Sequence, residues 1–259
     1  MPKRLTRFFL YGFLIISPVI PPIHAASVSI VFVSGYPVVT DVFLNSQGPF
    51  RFLVDTGAQT NQIDLPLANR LGLRPAFRTV VATITGDTVV AGGRIPEVKL
   101  GPVSASNQEF LYGNLDAVHK ISGDIQGVLG EEFLSRFDYL LDFRARQIMF
   151  GALQPEGASR IQFGLIDGRP AIKTDKGQLV IDSGTRAAIL YSASRESGAA
   201  ATETRALRFR AGGQSWSTTA ILAPRGSFVE DGLVPATLFR SVYVSNSEKF
   251  VVLDPLRVR

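Results

Sequence analysis

Two short segments of this chain carry residue types that could act together on one substrate. Phe50-Arg-Phe-Leu-Val-Asp55-Thr56-Gly57-Ala58 is a run of strand formers that ends in a carboxylate, a small hydroxyl residue and a glycine. Gln178-Leu-Val-Ile-Asp182-Ser183-Gly184-Thr185 repeats the plan 127 positions later. Each aliphatic run reads as a short buried strand, and the glycine lets the backbone turn sharply just past the acid. If the two turns meet about a pseudo-two-fold axis, the Asp55 and Asp182 carboxylates lie ~3 Å apart and cannot both ionise. They then hold one proton between them and titrate as a pair. Such a pair can polarise a water while donating a proton to a carbonyl, which is general acid–base amide hydrolysis. Thr56 and Ser183 fit as hydroxyls tying the loops together. Gly57 and Gly184 leave the backbone amides free to approach the carboxylates.

An Asp-[Ser/Thr]-Gly triplet arises by chance about 0.1 times in a chain of this length, so a single copy is an ordinary turn. Two copies point to a paired site, because each follows an aliphatic strand and each is answered later. The first answer is Gly127-Val128-Leu129-Gly130 and the second is Gly232-Leu233-Val234-Pro235. A short helix and a hairpin follow both answers, and that internal repeat is fold information in its own right.

The elements that must position these residues are mostly strands. Abundant Val, Thr and Phe, with turn residues every eight to twelve positions, predict a mainly β fold. Val28–Val33 and Val38–Leu44 precede the first aspartate strand. Asp64–Gly72 reads as a short helix with proline in its first turn and glycine at its end. Thr79–Ile84 and Thr88–Ala91 form a hairpin about Thr85, Gly86 and Asp87, an exposed ribbon about thirty residues past the first acid. Ile95–Leu100 and Glu109–Tyr112 read as further strands. A helix is expected over Glu131–Phe137, its acidic first turn suited to the helix dipole. Tyr139–Phe143 and Gln147–Phe150 make one hairpin, and Val242–Val244 and Phe250–Leu253 another. Pro170–Lys173 pairs with Gln178–Ile181 ahead of the second acid.

The 259 residues are 46% hydrophobic and 19% charged, enough for one globular unit or two lobes. Of the formal charge of +5, Lys3, Arg4 and Arg7 lie in an apparent leader. The near-neutral remainder gives no reason to propose a nucleic acid partner. Residues 1–26 read as a signal peptide, with basic residues, a short apolar run and Ala25-Ala26 as the cleavage site. That run is too short for the roughly twenty residues of a bilayer span. No stable membrane span is expected after cleavage. The chain has no cysteine, so disulfides and a lipid-modified leader are both excluded. An exported bacterial protein, periplasmic or secreted, is the expectation. Gly151–Gly157 is the best linker, dividing an N-terminal lobe at 27–153 from a C-terminal lobe at 154–259.

At its two motifs the chain resembles the pepsin-like and retropepsin-like aspartic peptidases. The resemblance implies a single-chain acid protease fold, mainly β and two-lobed, with a pseudo-two-fold axis, a few short helices and a cleft between the lobes. It implies an aspartic endopeptidase acting as a monomer on peptide or protein substrates, with no metal and no organic cofactor. Asp55 and Asp182 match the catalytic aspartates. Thr56, Gly57, Ala58, Ser183, Gly184 and Thr185 match the active-site loops. Gly127–Gly130 matches the segment packed behind the first loop, and Thr85, Gly86 and Asp87 fall where a flap would be.

The chain also departs from that pattern. Ala58 is retropepsin-like whereas Thr185 is pepsin-like, so the first aspartate lacks a hydroxyl partner that the second is expected to have. Gln59 and Arg186 are unusual, with Arg186 expected in solvent. Pro235 replaces the second lobe's matching glycine, and the flap tip has no tyrosine. These departures motivate the alternative, a non-catalytic peptide- or protein-binding scaffold on the same fold. A glycosidase is the third reading and would need its carboxylates some 5–9 Å apart. His119 is isolated, which leaves metal or Ser-His-Asp chemistry unsupported. Trp216 reads as a partly buried strand residue. Asp41, Asp87, Asp124 and Asp138 read as turn or strand-end residues, with Asp124 the one to compare with the aspartate pair.

Overall fold

The structure, a computed structural model, describes residues 26–83, 86–151, 155–156, 159–192, 203–254 and 257–258. The leader up to Ala25, and Thr85 of the expected ribbon tip, lie outside the described residues.

The chain is mainly β, and its two halves repeat one pattern of strand pairing. In the first half the hairpin Tyr36–Leu44 and Gln47–Val54 is antiparallel. Its second strand lies parallel to Gly127–Leu129, with Phe52 opposite Gly127. Gly127–Leu129 runs antiparallel to Asn61–Asp64, which in turn lies parallel to Val103–Gly113. In the second half Arg169–Thr174 and Gly177–Asp182 form the hairpin. Gly177–Asp182 lies parallel to Gly232–Pro235, with Leu179 opposite Gly232. Gly232–Pro235 is antiparallel to Ala188–Ser192, and that strand is parallel to Gln214–Pro224. The order of parallel and antiparallel neighbours is the same in both, which is the signature of a pseudo-two-fold repeat. Phe52, Val54, Leu179 and Val180 are all buried. A strand covered on both faces reads as a continuous apolar run rather than an alternating one.

One sheet crosses the division between the halves. The closing hairpins Tyr139–Asp142 with Gln147–Phe150, and Ser241–Ser245 with Phe250–Leu253, meet edge to edge. Tyr139 stands opposite Val244 and Asp142 opposite Ser241. Ala26–Ser29 adds along Gln147–Phe150. The largest core cluster runs from Val28 through Phe52, Tyr139 and Ile181 to Val251 and so belongs to both halves. That continuous core holds the two aspartate loops in register. Among the described residues no helix is long and apolar enough to cross a membrane.

Three elements differ from the sequence expectation. Thr88–Ala91 and Ile95–Leu100 are one strand, Gly86–Leu100, uninterrupted at Gly92-Gly93. A Cβ at Gly92 would come within 3.0 Å of the Phe77 ring and the Phe110 carbonyl, and one at Gly93 would crowd the Tyr112 hydroxyl. These glycines serve close packing, not a turn. The helix expected over Glu131–Phe137 is a single turn, Glu131–Leu134. Val28–Val33 is split, Ala26–Ser29 and Val31–Val33 joining different sheets.

Candidate active site

Each aspartate sits just where its strand gives out. Asp55 follows the last residue of Gln47–Val54, and Asp182 is the last residue of Gly177–Asp182. In both turns the amide two residues on bends back to the carboxylate. Gly57 N–H donates to Asp55 Oδ1 at 2.9 Å, and Gly184 N–H donates to Asp182 Oδ1 at 2.7 Å. The two carboxyls face each other closely enough that the charge of Asp55 bears on Asp182. A Cβ at Gly57 would collide with the Asp182 carboxyl, and one at Gly184 with that of Asp55. Each glycine is therefore required by the acid from the opposite half.

The hydroxyls join the loops with two-fold regularity. The Thr56 hydroxyl donates to the Ile181 carbonyl and the Ser183 hydroxyl to the Val54 carbonyl, both at 2.7 Å. The Thr56 amide donates to Ser183 Oγ and the Ser183 amide to Thr56 Oγ1, both at 3.0 Å. Thr56 is 2% exposed and Ser183 1%. Four buried hydrogen bonds in a dry setting are costly to lose, so the carboxylates have little freedom to separate.

Burial raises both acids. It is the largest cause at Asp55, opposed by the hydrogen bonds from Asp182 and the loop amides. Asp182 is pushed well above the usual carboxylate range by burial and then by the charge of Asp55. Two acids in contact bind one proton firmly and release it as a pair. Glu131 is a third buried carboxyl. Its burial pushes it up to about 8, a hydrogen bond from Tyr139 opposes the rise, and the charge of Asp55 adds to it. Glu131 is therefore not the helix-dipole anion its place in a first turn suggested.

Over Asp55 opens a cleft of about 590 Å³. Gln59, Gln62 and Glu109 line it on one side, and Arg169, Tyr191 and Phe228 on the other. Tyr191 and Phe228 stack with centroids 4.5 Å apart. The ribbon strand Phe77–Thr83 lines the cleft with Thr79, Val80 and Val81. It pairs back to Gly86–Leu100 with Thr83 opposite Gly86, so Gly86 and Asp87 start the return strand.

The departures resolve individually. The Thr185 hydroxyl donates to the Ala187 carbonyl at 3.1 Å and not to Asp182, so neither aspartate has a hydroxyl partner from the residue three positions on. Arg186 is exposed and its side chain covers Gly35 of the first half, while Gln59 reaches Gly168 of the second. These two contacts are symmetry mates across the lobes. Pro235 stands opposite Asp182 in the strand register and is the counterpart of Gly130. Gly130 N–H donates to Oδ1 of buried Asn61 at 3.0 Å. Proline has no N–H to satisfy, and the residue in the Asn61 position of the second half is Ala188. The two changes compensate.

Asp124 is bound to Arg51 at 2.6 Å and to Ser122 at 2.5 Å, and lies outside the aspartate pair. Trp216 is half-buried between Phe209 and Phe239. Sequence reasoning missed Asn61, Glu131, Arg169, Tyr191 and Glu230. The only signal for Arg169 was the matched pair of turns Ser34-Gly35 and Asp167-Gly168, one ahead of each aspartate hairpin.

A search of curated proteins finds no match. Among solved structures, a retropepsin-like aspartic protease from Rickettsia conorii is similar at 20% identity over 48% of this chain and 87% of that one, with a TM-score of 0.38. Residues 40–133, which hold Asp55, its loop and the Gly127–Gly130 segment, match the family model described as aspartyl protease.

Proposed function

We propose that the protein is an aspartic endopeptidase that hydrolyses peptide bonds with a water activated between Asp55 and Asp182. The observation that carries this reading is the convergence of two carboxyls, each against the loop glycine of the opposite half, at the ends of pseudo-equivalent strands beside an open cleft. That close approach favours a peptidase over a glycosidase, whose carboxylates stand some 5–9 Å apart. The aspartyl protease match over residues 40–133 supports the same class.

In this reading the pair carries one proton. The ionised carboxylate takes a proton from the water as its oxygen attacks the scissile carbonyl carbon. The protonated carboxyl gives its proton to the carbonyl oxygen. The tetrahedral diol then collapses, its hydroxyl proton returns to the pair, and the leaving nitrogen is protonated as the C–N bond breaks. No covalent enzyme intermediate forms. The edge strand lining the cleft suits an extended peptide held by backbone hydrogen bonds.

The test is cleavage of an unstructured protein or broad peptide library from acid to neutral pH. The wild type is expected to cut, and Asp55→Asn and Asp182→Asn to lose cleavage while keeping wild-type circular dichroism. Cleavage by either variant at the wild-type rate refutes the mechanism. A wild type that binds peptide and never cuts it establishes the non-catalytic alternative. Export is part of the same proposal, resting on the leader's composition. Detection of the chain only in the cytoplasm, with its leader attached, refutes it.

A further inference from the structure

The two halves differ again beside the cleft, at a position that the fold makes equivalent in both. The turns Ser34-Gly35 and Asp167-Gly168 both have positive φ at each residue, 50° and 85° in the first, 49° and 77° in the second. The residue after each turn opens a strand antiparallel to an aspartate strand, and that residue is Tyr36 in one half and Arg169 in the other. The Gln126 amide donates to the Arg51 carbonyl at 2.8 Å, and the Asp231 amide to the Gln178 carbonyl at 2.9 Å. The residues just before them, Ile125 and Glu230, are therefore counterparts, and both are 0% exposed.

In the first half this place is apolar. Ile125 is buried with Val38, Leu53 and Val128, and Tyr36 packs against them. In the second half it holds an ion pair. Arg169 Nη1 donates to Glu230 Oε1 at 2.9 Å and Nη2 to Oε2 at 3.1 Å. Its Nε donates to the Ile166 carbonyl at 3.2 Å, and Nη2 reaches Asp167 at 3.4 Å. A buried ion pair is seldom more stabilising than apolar groups of similar volume. The same fold displays the apolar solution in its other half, so folding does not require a charge here. The cation lines the cleft with Asp55 and starts the strand whose partner ends at Asp182.

We propose that Arg169, clamped by Glu230, is a positioning residue that keeps the Asp55–Asp182 pair ionisable in its buried setting. The inference rests on the peptidase reading. A fixed cation favours the ionised form of a nearby carboxylate, and the charge of Arg169 opposes the upward push on Asp182. The other groups in play are Asp167 and Glu230 on the guanidinium, Tyr191 on the strand Ala188–Ser192, and Glu131, on which the charge of Asp55 acts. No cation from the first half takes the same place, because Tyr36 stands there.

The decisive variant is Arg169→Tyr/Glu230→Ile, which installs the first half's solution in the second, beside Arg169→Lys, which keeps the charge. The double variant is expected to fold, with the acid limb of its pH–rate profile raised by about one pH unit. Arg169→Lys is expected to keep the wild-type limb. Carboxyl ¹³C titration of the pair is read on the same proteins without substrate. A wild type that never cleaves thus refutes the peptidase reading, while the titration still decides this inference. A double variant that folds and titrates as the wild type overturns the proposal. If it does not fold, Arg169→Gln/Glu230→Gln removes the charges while keeping a polar contact. Failure of both to fold overturns the proposal too, because the pair is then structural.

Discussion

Glu131 offers a test of the site's electrostatics that needs no substrate. The side chain is 2% exposed, its Oε1 accepts from the Tyr139 hydroxyl at 3.0 Å, and its Oε2 has no partner among the described residues. It titrates at about 8 in the folded protein against 4.5 for the free group. Below pH 4.5 both folded and unfolded chains hold the proton, and the group leaves stability unchanged. Between 4.5 and 8 the unfolded chain releases its proton while the folded one keeps it, so stability falls as pH rises. Above 8 the full loss is present, about 5 kcal/mol. That is as large as the whole stability of a weak domain. Glu131→Gln keeps a partner for Tyr139 and cannot ionise, so it escapes the loss. Urea unfolding of both proteins from pH 4 to pH 9 is the assay. Asp55 and Asp182 are also raised and tilt both curves the same way, so the difference between curves isolates Glu131. It should widen in favour of the variant by about 5 kcal/mol across that range. Parallel curves would falsify the account of Glu131 as a buried acid held neutral.

Three further perturbations test the loops themselves. Gly57→Ala and Gly184→Ala place a methyl against the opposite carboxyl, and each should lower kcat/KM about 10²-fold or more. Gly113→Ala, whose Cβ meets nothing within 4 Å, is the control that should stay active. Thr56→Val loses the donor to Ile181 and the acceptor for Ser183. It should cost about 2–4 kcal/mol in chemical denaturation, and a loss under 0.5 kcal/mol, within ordinary surface-substitution scatter, rejects the clamp. Asn61→Leu strands the Gly130 amide, for an expected loss of about 1–3 kcal/mol. Unchanged stability and fast exchange of that amide in the wild type would count against the compensation between Asn61–Gly130 and Ala188–Pro235.

What the amino-acid order determined by itself was everything encoded within about ten consecutive residues. An aliphatic run ending in Asp-hydroxyl-Gly specifies a buried strand and a tight turn wherever it occurs. Two such runs, each answered by a Gly-aliphatic-aliphatic segment, made the pseudo-symmetry and the carboxylate pair legible. The failures were also local ones. Thr88–Ala91 and Ile95–Leu100 read as separate strands because the glycines between them suit turns and close packing alike, and only the positions of Phe77 and Tyr112 choose between the two. Glu131 looked like a first-turn anion because its burial depends on the tyrosine eight residues on.

Tertiary structure alone decided which distant groups meet. Arg169 finds Glu230 across 61 positions, Asn61 finds Gly130 across 69, and Thr56 finds Ser183 across 127. No periodicity reports such pairings, because a lone polar residue has the same local pattern whether it is solvated or clamped. Burial is what gives each of them its energy. Without water to compete, a charge or an unpaired amide must find its partner inside the fold, and the partner is chosen by how the two halves pack.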